Sequence, residues 1–264
     1  MASCYGSISA PGGGASQRLR YLPMETRLPD GTCVEIDHFR ESEHAAGQRL
    51  LNGVIEEGLS WPFEETMDMN AFRAYFLSHA AFVVRTVPPA SSSSSSCARP
   101  PGEERLGTEG SAPTAAGPYS RGPSGTALQS DGEDEEHEVG DEGEGVWGVF
   151  YIKPNFPGRC SHVCNGGFIT DPRRRRRGVA RLMGHAFLRL AKDLGYKASY
   201  FNLVFRSNEA SLALWRGLGF TELAVVPKAG RLRGIDGLVD AIQFYYDLDA
   251  LSREDLPEDL RGPS

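Results

Sequence analysis

The chain has 264 residues, with 35 acidic side chains against 28 Lys and Arg, and a formal charge of −7. At roughly 100–200 residues per domain, that length holds one domain or two small ones. The acidic balance argues against a protein that coats nucleic acid through bulk positive charge, and no run of about 18 apolar residues is present to cross a membrane.

The first 18 residues are rich in Gly and Ser and are expected to be disordered, without the basic start and apolar core of a secretory signal. Thr26 to Phe39 reads as strand, turn and strand around Asp30-Gly31. Ala45 to Glu57 sets Leu50, Leu51, Val54 and Ile55 at helical spacing, and Asn70 to His79 does the same with Phe72, Tyr75, Phe76 and His79. Ala81 to Val87, apolar and β-branched, reads as a strand that stops at Pro88-Pro89.

From Pro88 to Gly145 the composition changes. Only Leu106, Tyr119, Leu128 and Val139 are large and apolar, six serines run from Ser91 to Ser96, and nine carboxylates crowd Asp131 to Glu144. Such a stretch buries too little apolar surface to offset its ordering entropy, so it is expected to be a disordered insertion between two adjacent strands. Closure entropy grows slowly with loop length, so the insertion costs the fold little. The −7 belongs largely to this loop, because without its acidic block the balance is about +2.

Order is expected to resume at Val146, with strands over Val146 to Ile152 and Cys164 to Thr170, then an amphipathic helix over Gly178 to Leu194. A strand over Ser199 to Phe205, a helix over Asn208 to Leu218 and strands over Thr221 to Pro227 and Ala241 to Leu248 follow, with a Gly-rich loop from Gly230 to Gly237. A polar tail begins at Ser252 and is expected to be disordered. The fold class is α/β, a mixed central sheet flanked by helices. Its domain is split into residues 19–87 and 146–251.

Five cysteines, Cys4, Cys33, Cys97, Cys160 and Cys164, are odd in number and widely spread, which suits free thiols in a reducing compartment. On an extended strand, Cys160, His162 and Cys164 would share one face about 6.5–7 Å apart. One tetrahedral zinc cannot collect all three without a bend, so no metal is expected.

The chemically informative segment is Arg175-Arg176-Arg177-Gly178-Val179-Ala180, where a strand gives way to a helix that begins with small residues. A helix start presents unpaired N–H groups and partial positive charge, and small residues let a phosphate approach the backbone. Flanking guanidiniums would neutralise a pyrophosphate. The segment lacks the Lys-Ser/Thr of a P-loop and the three-glycine spacing of a Rossmann turn. Taken alone, the five arginines from Arg173 to Arg177 fit a solvated face or a nuclear-import patch as well as a phosphate site.

Arg175-x-x-Gly178-x-Ala180 resembles the acetyl-CoA signature of the GCN5-related N-acetyltransferases, and Asn208, Ser211, Trp215, Gly219 and Phe220 resemble that superfamily's downstream element. Within it, Phe150 to Asn155, Arg159 to His162, Cys164-Asn165-x-Gly167-Phe168, Leu194 to Lys197, Phe201 to Phe205 and Val239 to Ile242 resemble the fungal L-azetidine-2-carboxylate N-acetyltransferases. The resemblance is dense over about 100 residues, Phe150 to Leu248, and loose before them. It implies the acyl-CoA N-acyltransferase fold, acetyl-CoA as co-substrate, a proline-like amine as acceptor and a homodimer.

The resemblance also implies site residues. Asn165, Phe168 and Asn202 would bind the acceptor, Asn202 and Asn165 with catalytic roles. Arg175 to Ala180 and Asn208 would hold the CoA. From the residues alone, sheet hydrogen bonding is the alternative for Asn165 and Asn202, although Asn is depleted in strands, and core packing is the alternative for Phe168. Many superfamily members carry a carboxylate near the position of Asn165 and a Tyr at that of Trp215. Neither Asn nor Trp can move a proton usefully, so water-mediated deprotonation is expected. Three other readings stay open: a protein, histone or polyamine acetyltransferase, with the acidic block recruiting a basic tail such as a histone's, a non-catalytic CoA-binding module, and a nucleic-acid binder using the Arg run. The expected compartment is the cytoplasm, with the nucleus as the alternative.

Overall fold

The computed structural model describes residue 10 and residues 19–87 and 145–261. The expected N-terminal disorder and the insertion from Pro88 lie outside the described residues, apart from Ala10 and Gly145. Eight strands form one sheet: β1 (Met24–Arg27), β2 (Cys33–His38), β3 (Ala80–Thr86), β4 (Val146–Pro154), β5 (Val163–Thr170), β6 (Ala198–Phe205), β7 (Thr221–Gly230) and β8 (Val239–Asp247). Four helices accompany them: α1 (His44–Glu57), α2 (Met69–Phe76), α3 (Val179–Asp193) and α4 (Glu209–Gly217).

The strand order is β1-β2-β3-β4-β5-β6-β8-β7, antiparallel throughout except between β5 and β6. α3 makes the crossover that a parallel pair requires. Strands β3 and β4 pair from Ala80↔Ile152 to Arg85↔Val146, so the segment from Pro88 does connect adjacent antiparallel strands.

The two faces of the sheet bury different partners. Along β3 and β4, Val83, Val149 and Tyr151 pack with Leu51, Val54, Ile55, Phe72 and Phe76 of α1 and α2. Their neighbours Phe82, Val84, Phe150 and Ile152 pack with the helices of the opposite face, through Met183, Phe187 and Leu190 of α3 and Trp215 of α4. Side chains alternate across a strand, so a strand covered on both faces reads as a continuous apolar run, as Val146 to Ile152 does. In α3, Val179, Met183, Ala186, Phe187, Leu190 and Ala191 recur at steps of three and four and are all buried.

One charged group sits deep in the N-terminal half. Arg85 is 5% exposed, and its guanidinium donates to Glu35 at 2.6 Å, Asp37 at 3.0 Å and Glu43 at 2.6 Å. Surrounding carboxylates and the His38 carbonyl at 2.9 Å satisfy it, as a buried charge requires.

Two expectations are corrected. α2 ends at Phe76 and does not reach His79, because the chain must turn at Leu77 to Ser78 before β3 starts at Ala80. The segment from Ser252 is not a free tail as far as Arg261. Leu256 and Leu260, four residues apart, are buried in the α3-side core, and the Leu260 carbonyl accepts a hydrogen bond from Arg189 at 2.5 Å. Two leucines suffice to tie down an otherwise polar stretch. Leu260 is fully buried, so Leu260→Ala should cost about 2–4 kcal/mol of unfolding free energy. Urea denaturation measures this, and an unchanged midpoint would mean the segment contributes nothing.

Candidate active site

The site follows from how little β5 and β6 share. They pair only at Val163↔Ala198 and Cys164↔Ser199, then diverge. Beyond that point β5 is held by β4, in register from Pro154↔Cys164 to Gly148↔Thr170, and β6 by β8. Their facing edges border a cavity of about 700 Å³. α3 follows β5 and α4 follows β6, so both helix N-termini stand at the open end, where ligands of α/β sheets bind.

The first of these N-termini is prepared for an anion. Arg176 has φ 63° and Gly178, the N-cap of α3, has φ 91°. Gly178 carries no capping side chain, so the first-turn N–H groups of α3 keep no intrahelical partner. Left-handed residues in such a turn orient successive N–H groups into an anion-binding concavity. A Cβ on Gly178 would meet Pro29 Cδ at 2.7 Å, so glycine is required on two counts.

The arginines that follow β5 divide. Arg175 and Ala180 line the cavity, and Arg175 donates to Glu57 at 2.7 Å from its opposite wall. Arg177 pairs with Asp30 at 2.9 Å and, like Arg174, lies over the ring of Trp147. Arg173 pairs with Asp171 at 3.0 Å, and Arg176 is exposed. Val179 is buried and turns its side chain to the core. Of the expected cofactor residues in this turn, Arg175 and Ala180 reach the cavity with their own atoms. Arg176 to Val179 contribute the shape of the turn.

At the second N-terminus, Asn208 caps α4, its side chain accepting from the Ser211 N–H at 3.1 Å, and it too lines the cavity. Asn202 lies on β6 where the pairing with β8 shifts between Phe201 and Val204. Its amide pairs reciprocally with that of Asn155, donating at 2.7 Å and accepting at 3.0 Å. An amide has two donors and two lone pairs, so the pairing fixes Asn202 and leaves half its capacity unused.

Asn165 and Phe168 border the cavity from opposite faces of β5, since residues three apart alternate. Asn165 lies on the α1/α2 face and accepts from the Gly166 N–H at 2.8 Å. Phe168 joins the opposite aromatic cluster, 4.8 Å from Trp215 and 5.1 Å from Phe187 between ring centroids. Its packing role is therefore evident. Trp215, 5% exposed, belongs to the same cluster.

Several lining residues escaped the sequence reading. Among the described lining residues Glu57 is the one carboxylate, and Trp61, Tyr75 and Tyr151 form an aromatic wall. The Trp61 and Tyr151 rings press on β5 so closely that a Cβ on Gly167 would stand 2.6 and 2.5 Å from them. The Tyr75 and Tyr151 hydroxyls are hydrogen-bonded at 3.0 Å. Burial pushes up the pKa of both hydroxyls, Tyr75 to about 12, so both stay protonated at neutral pH.

Cys160 ends a short 3-10 turn, Gly158–Cys160, and is exposed, whereas Cys164 is buried on β5. The three residues of the Cys-x-His-x-Cys run therefore do not share one extended strand. Burial raises the Cys164 thiol to about 12, so it is neither a thiolate nucleophile nor a ready ligand. Among the described residues no three His, Cys, Asp or Glu side chains gather to hold a metal.

Residues 116–220 match the acetyltransferase (GNAT) family, and the described part of that match runs from Gly145 through β4, β5, α3, β6 and α4. The chain is 49% identical over 104 residues to N-acetyltransferase aca1 of Schizosaccharomyces pombe, a match covering 39% of this chain and 50% of that protein. It is 33% identical over 97 residues to Protein SPT10 of Saccharomyces cerevisiae, covering 37% of this chain and 15% of the relative. It thus spans about half or less of the length of these curated relatives.

Among solved structures, a GCN5-related N-acetyltransferase from Kribbella flavida superposes with a TM-score of 0.57 at 16% identity, covering 81% of this chain and 97% of that one. The protein yncA from Salmonella typhimurium, solved with its cofactor acetyl-CoA, gives a TM-score of 0.55 at 13% identity, covering 83% and 96%. At such identities these two show the fold alone. The cradle makes a specific prediction. Gly178→Ala should weaken CoA binding about tenfold, since a left-handed non-Gly residue costs roughly 1–2 kcal/mol. Isothermal titration reads the change, and unaltered affinity would place the pyrophosphate elsewhere.

Proposed function

We propose that this chain, whose folded unit is a GNAT-family acetyltransferase domain, moves an acetyl group from acetyl-CoA to the secondary amine of a small proline-like amino acid. Azetidine-2-carboxylate and cis-4-hydroxyproline are the acceptors it is expected to take, in detoxification or proline-linked stress tolerance. The observation that carries the reading is the cavity between two diverging parallel strands, with an uncapped helix N-terminus at its mouth.

The turn from Arg176 to Ala180 would hold the pyrophosphate through backbone N–H groups, beside the Arg175 guanidinium that Glu57 holds in place. Asn208 would border the pantetheine arm. When bound, acetyl-CoA supplies an acyl carbon joined to a good leaving group, a thiolate.

The acceptor must be neutral to attack. Glu57, the one carboxylate among the described lining residues, is engaged by Arg175 at 2.7 Å, so water would carry away the amine proton. The N–C bond forms as the C–S bond breaks, and the departing sulfur takes up a proton. Asn202, held by Asn155, and Asn165 would orient the amine and its ring, so that positioning supplies most of the rate. A homodimer is part of this reading. It is supported by β7, an edge strand exposed along most of its length with Leu223 and Val225 53% and 49% exposed, and sedimentation velocity tests it. Residence in the cytoplasm rather than the nucleus is favoured by the ion pairs that already engage Arg173, Arg175 and Arg177, and a fluorescent fusion tests it.

Thiol release from acetyl-CoA, followed across proline analogues, polyamines and histone-tail peptides, tests the reading. Azetidine-2-carboxylate should exceed the polyamines and peptides about tenfold or more in kcat/KM. Preference for a peptide would replace this reading with the protein-acetyltransferase one, and CoA binding without any turnover would leave a binding module. In the same assay, Asn202→Ala should lower turnover about a hundredfold through lost positioning. Unchanged turnover would remove Asn202 from the mechanism.

A further inference from the structure

The cavity's aromatic wall hides a charge that the proposed mechanism does not use. Lys153, on β4, pairs in register with Asn165 on β5. Residues directly opposite in an antiparallel pair point to the same face, with Cβ atoms about 4.5–5.5 Å apart. Lys153 therefore stands one side chain behind Asn165. Its Nζ sits 3.8 Å from the centroid of the Tyr75 ring and 4.2 Å from that of Tyr151, both of which line the cavity.

Among the described residues, two ring faces are all that this ammonium has. No described carboxylate forms an ion pair with it and no described oxygen accepts its hydrogens, in contrast to Arg85, which draws on three carboxylates. Ring quadrupoles return only part of the solvation that burial removes. The cost is visible in its ionisation, which burial pushes down to about 8. A half-buried cation without a counter-ion, beside a cavity, lacks an anion.

We propose that Lys153 and the Tyr75–Tyr151 hydroxyl pair form the subsite for the acceptor's carboxylate, so that this site selects amino acids over amines that carry no acid. The proposal rests on the acceptor class given above and adds the group that recognises it. The hydroxyl pair spends one hydrogen on its mutual bond and keeps a second for a ligand oxygen. Lys153 supplies the charge. Asn165, across the register pair, would then fall near the ring and its nitrogen. Trp61, 6.3 Å from Tyr151 between ring centroids, would cover the ring's apolar face. A cation in this position also repels polyamines, and it disfavours the protonated form of the acceptor amine, which is the form that cannot attack.

The test compares azetidine-2-carboxylate with azetidine-2-carboxamide in wild type, Lys153→Met and Lys153→Arg. Methionine keeps the length and apolar stem without the charge, and thermal melting with the KM for acetyl-CoA verifies that each variant is folded. In Lys153→Met, KM for the carboxylate should rise about tenfold or more, since the charge behind the aromatic wall that attracts it is gone. KM for the amide should change by less than about threefold, since a neutral ligand makes no ion pair. Lys153→Arg should recover most of the carboxylate preference, and kcat should move less than KM. Equal effects on carboxylate and amide, or no effect on either, would overturn the subsite while leaving the acetyltransferase reading intact. A wild-type enzyme that acetylates no amino acid would overturn both.

Discussion

The site depends on one feature of backbone pairing. β5 and β6 share two register positions and then part. Two sheet strands leaving each other expose edge N–H and C=O groups, which a compact protein ordinarily covers. Here each strand is satisfied on its other side, by β4 and by β8, and α3 and α4 pack over one face of the opening. The inner edges are left for a ligand. The backbone-lined slot, the paired helix starts and the walls on both faces of the sheet follow from that separation.

Two differently built halves meet at the slot. On the α3/α4 side the wall is a packed aromatic cluster of Phe168, Phe187, Phe201, Trp215 and Phe220, with centroid separations from 4.7 to 5.9 Å. Such a wall is apolar and closely packed, which suits positioning an arm that does not react. On the α1/α2 side the wall is Trp61, Tyr75 and Tyr151, with polar tips and the ammonium of Lys153 behind them. Mixed apolar faces and protonated hydroxyls suit a small polar acceptor. The division of labour in the proposed reaction thus follows the division of the core into two clusters.

Much of this was legible in the chain. Each of the eight strands and four helices has a counterpart in the periodicity, because amphipathic elements such as α3 and doubly covered strands such as β4 leave plain patterns. The start of α3 was legible as well, since a glycine at the end of the Arg run precedes it. What escaped was long-range pairing. Nothing local marks Glu57 as the partner of Arg175, 118 positions away, or brings Tyr75 and Tyr151 within 3.0 Å. Leu256 and Leu260 were overlooked for a related reason: two apolar residues in a polar stretch are too few for a pattern, and only the core they enter reveals them. Alternation along β5 was available from the sequence, and it separates Asn165 from Phe168 onto opposite faces.

The central claim is that the turn before α3 receives the pyrophosphate of CoA through its own backbone. Amide hydrogen exchange on the full chain, with and without CoA, tests it most directly. The account predicts that the N–H groups of Arg176 to Arg181 become protected on addition of CoA, while those of α1 on the opposite face do not. Protection confined to other segments, with these amides exchanging as before, would contradict it.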